Sequence, residues 1–245
     1  MGGILIMKYQ NVFKRYELKY LITKEQQKLL LEVMKEYMEP DQFGKSTICN
    51  IYLDTPSKIL IRRSNEKPIY KEKLRIRSYG IAASDTTVFV ELKKKYNSVV
   101  YKRRISMSET DAMNYITKGI KLGIESQITK EINYFCKFYP GLEPALFMSY
   151  ERKAFFSKND SNFRMTFDEN ILCRDYDLNL KAGAYGTPLL AGDMVLLEVK
   201  TSLGMPLWLT KFLSENKLYK TSFSKYGNAY KSLILPKLLG GIKVA

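Results

Sequence analysis

Glutamate and lysine recur two residues apart in three strand-like segments: Glu17/Lys19, Glu91/Lys93 and Glu198/Lys200. Residues i and i+2 of a β-strand project from one face. Each segment therefore carries a carboxylate and an ammonium side by side. "KLRIRSYG" sets Lys73, Arg75 and Arg77 on one face, and "FRMTFD" does the same with Arg164, Thr166 and Asp168. Lys93/Lys95 and Lys102/Arg104 continue the pattern. A strand with one apolar and one charged face usually keeps its charges in water. Its Glu–Lys pairs then serve only as cross-strand contacts. Recurrence across so many segments, with arginine and lysine rarely replaced by neutral polar residues, weighs against that reading. A barrel can invert the usual rule and turn its charged faces inward, and its apolar outer face then needs helices as cover. Such an interior, rich in cations with a few carboxylates, suits a polyanion held together with a divalent metal.

The remaining periodicity is consistent with that reading. Alternation predicts strands at "FKRYELKYLI", "STICNIYLDT", "IYKEKLRIRSYG", "TTVFVELKKK", "VVYKRRIS", "ALFMSYERKAFF", "SNFRMTFDENI" and "DMVLLEVKTS". Thr23 with Gln26 forms a capping-box pattern for a helix that stops before Pro40. Ser108 with Asp111 opens a second helix, and a third covers about 126–138 before Pro140-Gly141. Met205-Pro206 starts another, and a last helix covers about 223–235. The helices over 108–138 are expected to cover the sheet. The predicted fold class is α+β: a mainly antiparallel β-barrel or tunnel with a charged interior, covered by helices.

Composition narrows the chemistry. The 245 residues are 45% hydrophobic, enough for a real core, and carry a formal charge of +15. That balance points to a polyanionic partner without choosing which. Histidine is absent, which excludes His-based zinc sites, Ser-His-Asp triads and histidine general bases. Oxygen ligands favour Mg²⁺ or Mn²⁺. The three cysteines, Cys49, Cys136 and Cys173, show no metal or disulfide spacing. With no apolar run long enough to span a bilayer, a reduced, cytoplasmic protein is expected.

Nine stretches occur in an order that resembles the VTC domain, the polyphosphate polymerase branch of the triphosphate tunnel metalloenzymes. They are "RYELKY", "IYLDT", "KLRIRSYG", "VFVELKKK", "YKRR", "SYERKAF", "FRMTFDENI", "LLEVKTSLGMPLWL" and "SKY". The resemblance implies an N-terminal extension over 1–12, a tunnel domain over 13–235 and a tail over 236–245. It implies a basic triphosphate-binding lining of Lys19, Arg75, Arg77, Lys93, Lys102 and Lys225. Arg164, Lys200 and Arg152 are implied at the reacting phosphates. Glu198 corresponds to the family's metal-binding carboxylate, with Glu17, Glu91 and Asp168 binding metal or holding the lysines. Related triphosphatases open with Glu-x-Glu-x-Lys. Here Arg15 gives Arg-x-Glu-x-Lys, as in the VTC branch.

The implied reaction is metal-dependent transfer of the γ-phosphoryl of ATP to a growing inorganic polyphosphate chain, with pyrophosphate as a possible primer. The implied cofactor is Mn²⁺ or Mg²⁺. The eukaryotic polymerase also carries an inositol-phosphate-sensing SPX domain and a membrane segment. Neither is expected here. Two alternatives stay open: hydrolysis of tripolyphosphate or a nucleoside triphosphate, and a non-enzymatic polyphosphate- or nucleic-acid-binding module. Carboxylates beside the cations disfavour nucleic acid.

Overall fold

The computed structural model describes residues 16–97, 99–120, 123, 125–202 and 204–240. The expected N-terminal extension and Arg15 lie outside these residues. The strands are β1 Tyr16–Thr23, β2 Met38–Asp54, β3 Tyr70–Tyr79, β4 Thr87–Tyr96 and β5 Val99–Ser108, then β6 Glu143–Ser157, β7 Arg164–Arg174, β8 Thr187–Pro188 and β9 Met194–Thr201. The helices are α1 Lys24–Tyr37, α2 Ile59–Asn65, α3 Glu109–Lys118, α4 Gln127–Phe138, α5 Leu207–Glu215, α6 Lys225–Ala229 and α7 Leu235–Gly240. A π-helical turn, Tyr230–Ile234, joins the last two.

Capping explains why the early helices start where they do. Thr23 Oγ1 accepts from Gln26 N, and Gln26 Oε1 accepts from Thr23 N. Ser108 and Ser126 cap α3 and α4 in the same way, each accepting from the backbone N–H three residues on. Three elements differ from the sequence expectation. β2 begins at Met38 rather than near Ser46, because a register shift against β6 between Pro40 and Lys45 absorbs the proline. The short α2 is too brief to show a period. It forms because the buried Asp54 carboxylate accepts from Leu60 N and Ile61 N, at 2.9 and 3.0 Å. The C-terminal helix runs on through Pro236 to Gly240, where the sequence suggested an end near 235. The widened π turn immediately before Pro236 gives the ring space that a regular turn lacks.

All pairings are antiparallel, in the order β1-β9-β7-β6-β2-β3-β4-β5, with β8 on the side of β7. The antiparallel tunnel expectation holds, as a barrel only loosely: among the described residues the hydrogen-bonded path does not close, and β1 and β5 are its edges. Closing the ladder requires backbones about 4.8 Å apart. Glu17 of β1 meets Lys93 of β4 at 3.7 Å, so the sheet curls into a trough whose walls touch through side chains.

The predicted inversion of faces holds. Leu74, Ile76, Val88, Val90 and Leu92 are fully buried and pack with Ala112, Tyr115, Ile116, Ile132 and Phe135 of α3 and α4. On the other wing, Ile22, Met165, Val195, Leu197 and Val199 pack under α1 and α5. Truncating a side chain such as Leu30 or Met34 in this layer would cost about 2–5 kcal/mol. A third cluster lies on the concave face itself. Tyr226, Tyr230 and Ile234 cover Ile48, Leu146, Met148 and Leu196. The C-terminal helix thus fills one end of the trough with apolar packing and leaves the charges at the other. Among the described residues, no helix is long and apolar enough to cross a membrane.

Candidate functional site

Register alone brings the charges of separate strands together. Lys19 lies opposite Glu198, Glu17 and Arg164 both opposite Lys200, and Arg152 opposite Asp168. On the other wing Arg75 lies opposite Glu91, which lies opposite Arg104, while Lys73, Lys93 and Lys102 form one row across three strands. Register and strand alternation thus set twelve of the thirteen expected site residues on one surface, and Lys225 of α6 joins them 2.5 Å from Asp168.

The wing formed by β6, β7, β9 and α6 is closely paired. Asp168, fully buried, takes a bidentate bond from Arg152 at 2.6 and 2.7 Å. It also meets Lys225 Nζ at 2.5 Å. Lys225 Nζ donates to Glu198 Oε1 as well, at 2.9 Å. Lys19 at 3.4 Å, Arg152 at 3.5 Å and Lys200 at 3.9 Å surround Glu198. Burial opposes ionisation of Glu198 and Asp168, but Lys225 and Arg152 overcome it and hold both carboxyls below their usual range. Burial likewise opposes charge on Lys225, and Asp168 and Glu198 reverse it, raising its pKa. Lys200 ends near 8: burial lowers it, and Glu198 only partly compensates. Arg164 lies further toward the mouth, 3.7 Å from Asp41 and over the Phe156 ring.

The β3–β4–β5 wing has fewer carboxylates. Glu91, nearly inaccessible, accepts from Arg75 Nε at 2.8 Å and pairs with Lys102. Burial raises the Glu91 carboxyl, yet Arg75, Arg77 and Lys102 bring it down to about 2. Glu17 also falls to about 2: burial opposes this, and Lys93 dominates the lowering. Arg77 is tied to Asn50 Oδ1 and the Tyr150 hydroxyl, at 2.9 and 3.0 Å. Lys73 has a Ser224 hydroxyl at 3.1 Å and the Tyr226 ring as partners. Burial, then Lys71 and Lys93, lower its pKa to about 7.

Two residues outside the expected set belong here. Lys73 was visible as the i−2 member of the Arg75/Arg77 series. Tyr150, two residues before Arg152, is buried; burial raises its phenol, but Arg77, Arg152 and Lys225 bring it to about 8. Its spacing was the only signal, since nothing in a lone tyrosine marks it as facing cations.

Residues 221–224 tie the walls together. Thr221 N donates to Lys19 O, Lys19 Nζ donates to Phe223 O, and Lys73 reaches Ser224 from the opposite wing. Ser224 caps α6 and thereby aims Lys225 inward. Asp54 fixes the same helix by accepting from the Tyr226 hydroxyl at 2.9 Å. Gly227 permits the close approach of α6 to α2: a Cβ there would lie 2.7 Å from Asn65 Oδ1.

A divalent metal needs several oxygen ligands. Among the described residues, no three His, Cys, Asp or Glu side chains converge to hold one. Glu198 and Asp168 form the best carboxylate pair, and Lys225 sits between them. These residues fit a metal that brings most of its ligands with it as phosphate oxygens.

The chain belongs to the VTC domain family, whose profile matches residues 14–234. No curated protein sequence matches it significantly. A candidate adenylate cyclase from Bacillus halodurans shares the fold, with a TM-score of 0.53 at 13% identity, covering 87% of this chain and 94% of that one. A candidate adenylyl cyclase from Hippeastrum, described as having a dominant triphosphatase activity, has a TM-score of 0.50 at 16% identity, covering 88% and 94%. The chain is thus a VTC-domain protein with the fold of these neighbours.

Proposed function

We propose that the protein transfers the γ-phosphoryl of ATP to the end of an inorganic polyphosphate or pyrophosphate acceptor, with Mn²⁺ or Mg²⁺ bound. The observation that carries this reading is the charge balance of the concave face. Among the described residues, Lys19, Lys73, Arg75, Arg77, Lys93, Lys102, Arg152, Arg164, Lys200 and Lys225 on this face far outnumber its carboxylates Glu17, Glu91, Asp168 and Glu198. Membership of the VTC domain family supports phosphoryl handling on this face, and the choice of transfer over hydrolysis is the proposal.

Phosphoryl transfer asks for position and charge neutralisation more than for a protein nucleophile. An acceptor phosphate oxygen bonds to the γ-phosphorus while the bond to the β–γ bridging oxygen breaks, and ADP leaves with that electron pair. The acceptor is already ionised, so the absence of histidine is no obstacle. Lys200, Lys19 and Arg152 stand around Glu198, where they would hold the phosphates. Arg164, opposite Lys200 in register, would engage the chain nearer the mouth. A divalent cation, when bound, supplies further charge neutralisation at the phosphate oxygens.

The test is incubation with ATP, Mn²⁺ and a pyrophosphate primer, scoring ADP, free phosphate and long polymer together. Polymer that disappears in Lys200→Ala is the expected result. Hydrolysis is the second reading, favoured by the triphosphatase activity described for the Hippeastrum neighbour. Free phosphate without polymer would establish hydrolysis instead. RNA binding that tripolyphosphate does not compete for would move the protein to the binding-module class.

A further inference from the structure

The inner carboxylate pair already has a cation. Lys225 Nζ lies 2.5 Å from Asp168 Oδ2 and 2.9 Å from Glu198 Oε1, which places an ammonium where a metal bridging both carboxylates would have to sit. Lys225 and Asp168 are buried, and Arg152 takes both Asp168 oxygens. The second Glu198 oxygen faces Arg152 and Lys200, at 3.5 and 3.9 Å. A bare divalent cation would enter a face already dominated by positive charge. It would also have to drive a buried ammonium away from two carboxylates, leaving the neutral Tyr150 ring, 4.7 Å away, in place of two charges.

We infer that Lys225 is the resident counter-cation of the Asp168–Glu198 pair. A divalent metal then reaches these carboxylates only as its complex with a triphosphate, whose oxygens take over Lys225 as the metal takes its place. This rests on the triphosphate reading of the site and adds an order of binding to it. The metal–triphosphate complex is anionic, so the surrounding cations attract it where they repel the free ion. Its phosphate oxygens give the displaced ammonium a new partner and complete the metal's coordination, which the protein's own carboxylates do not.

Manganese EPR of the full chain tests the order, because the signal of free hexaaquo Mn²⁺ falls on binding whether or not turnover occurs. With Mn²⁺ alone, the unaltered chain should leave that signal at its buffer value. With Mn²⁺ and tripolyphosphate together, bound manganese should approach one ion per chain. Lys225→Met removes the resident cation and should bind Mn²⁺ alone at least ~10-fold more tightly than the unaltered chain. Stoichiometric binding of Mn²⁺ alone to the unaltered chain, as tight as in Lys225→Met, would overturn the inference. Should Lys225→Met fail to fold, a rise in Tm of the unaltered chain with Mn²⁺ alone overturns it equally. Unchanged Tm with Mn²⁺ alone, beside a rise with Mn²⁺ and tripolyphosphate, supports it. Calorimetry with metal-free tripolyphosphate separates the two layers. If tripolyphosphate does not bind, the phosphate reading itself fails; if it binds while Mn²⁺ alone also saturates the chain, only the order of binding is wrong.

Discussion

The two wings of the trough carry the same kinds of side chain but use them differently. On the β6–β7–β9 wing, Arg152 and Lys225 are locked onto Asp168 and Glu198 at short distances and deep burial. On the β3–β4–β5 wing, Arg75 and Lys102 share Glu91, but Lys73 is held mainly by a hydroxyl and an aromatic face. Paired buried charges define a geometry, because losing either partner leaves the other uncompensated. Under-compensated cations instead store affinity for an anion that is yet to arrive. The first wing is therefore the rigid frame of the site, and the second its least satisfied attractor.

Variants can break this contrast. The largest effect is expected at Asp168. Asp168→Asn strands Arg152 and Lys225 in a buried setting and should lower stability by about 3–5 kcal/mol in denaturant unfolding. A loss under 1 kcal/mol would show that the frame is not rigidly paired. Lys200→Ala should leave the fold intact and reduce ATP turnover by about 10²-fold or more, read as initial rate. Lys73→Met should act in the opposite manner to Asp168→Asn. It leaves Tm unchanged or raised, while calorimetric tripolyphosphate affinity falls about 10-fold. Equal destabilisation by Lys73→Met and Asp168→Asn would erase the distinction between the wings.

Proton linkage gives a smaller, graded test. Lysine binds anions as the ammonium, which is fully present below its pKa and lost as pH rises through it. Lys73 near 7 and Lys200 near 8 should make tripolyphosphate affinity greatest below pH 7 and weaker from there through pH 9. Bound phosphate raises both pKa values, so the decline starts at the free-site values. Lys73→Met should remove the earlier part of that decline, and a flat profile would contradict the lysine assignment. The smallest effect is expected for Lys211→Ala on α5. That side chain is 76% exposed, 3.9 Å from Glu215 and away from the trough, so activity and stability should stay within error.

Much of the site was legible as spacing. Glu17/Lys19, Glu91/Lys93 and Glu198/Lys200 share faces because a strand repeats every two residues, and the structure places all three sets on the concave surface. The capping pairs of α1 and α3 were legible for the same local reason. Tyr150 and the short α2 were not. One owes its character to three cations from elsewhere in the chain, and the other to the Asp54 carboxylate. Barrel closure was not legible either, since alternation specifies a face and not whether the edge strands meet.

The sequence by itself determined which residues share a face, where most strands and capped helices lie, and that no histidine is present to take part. These are consequences of backbone periodicity and local hydrogen bonding over a few residues. Only the tertiary structure decided that the sheet stays open between β1 and β5 and that Lys225 stands between Asp168 and Glu198. Those outcomes depend on how distant strands meet and on charges brought together from distant points in the chain. Coulombic and packing energies act through space, and no local pattern records them.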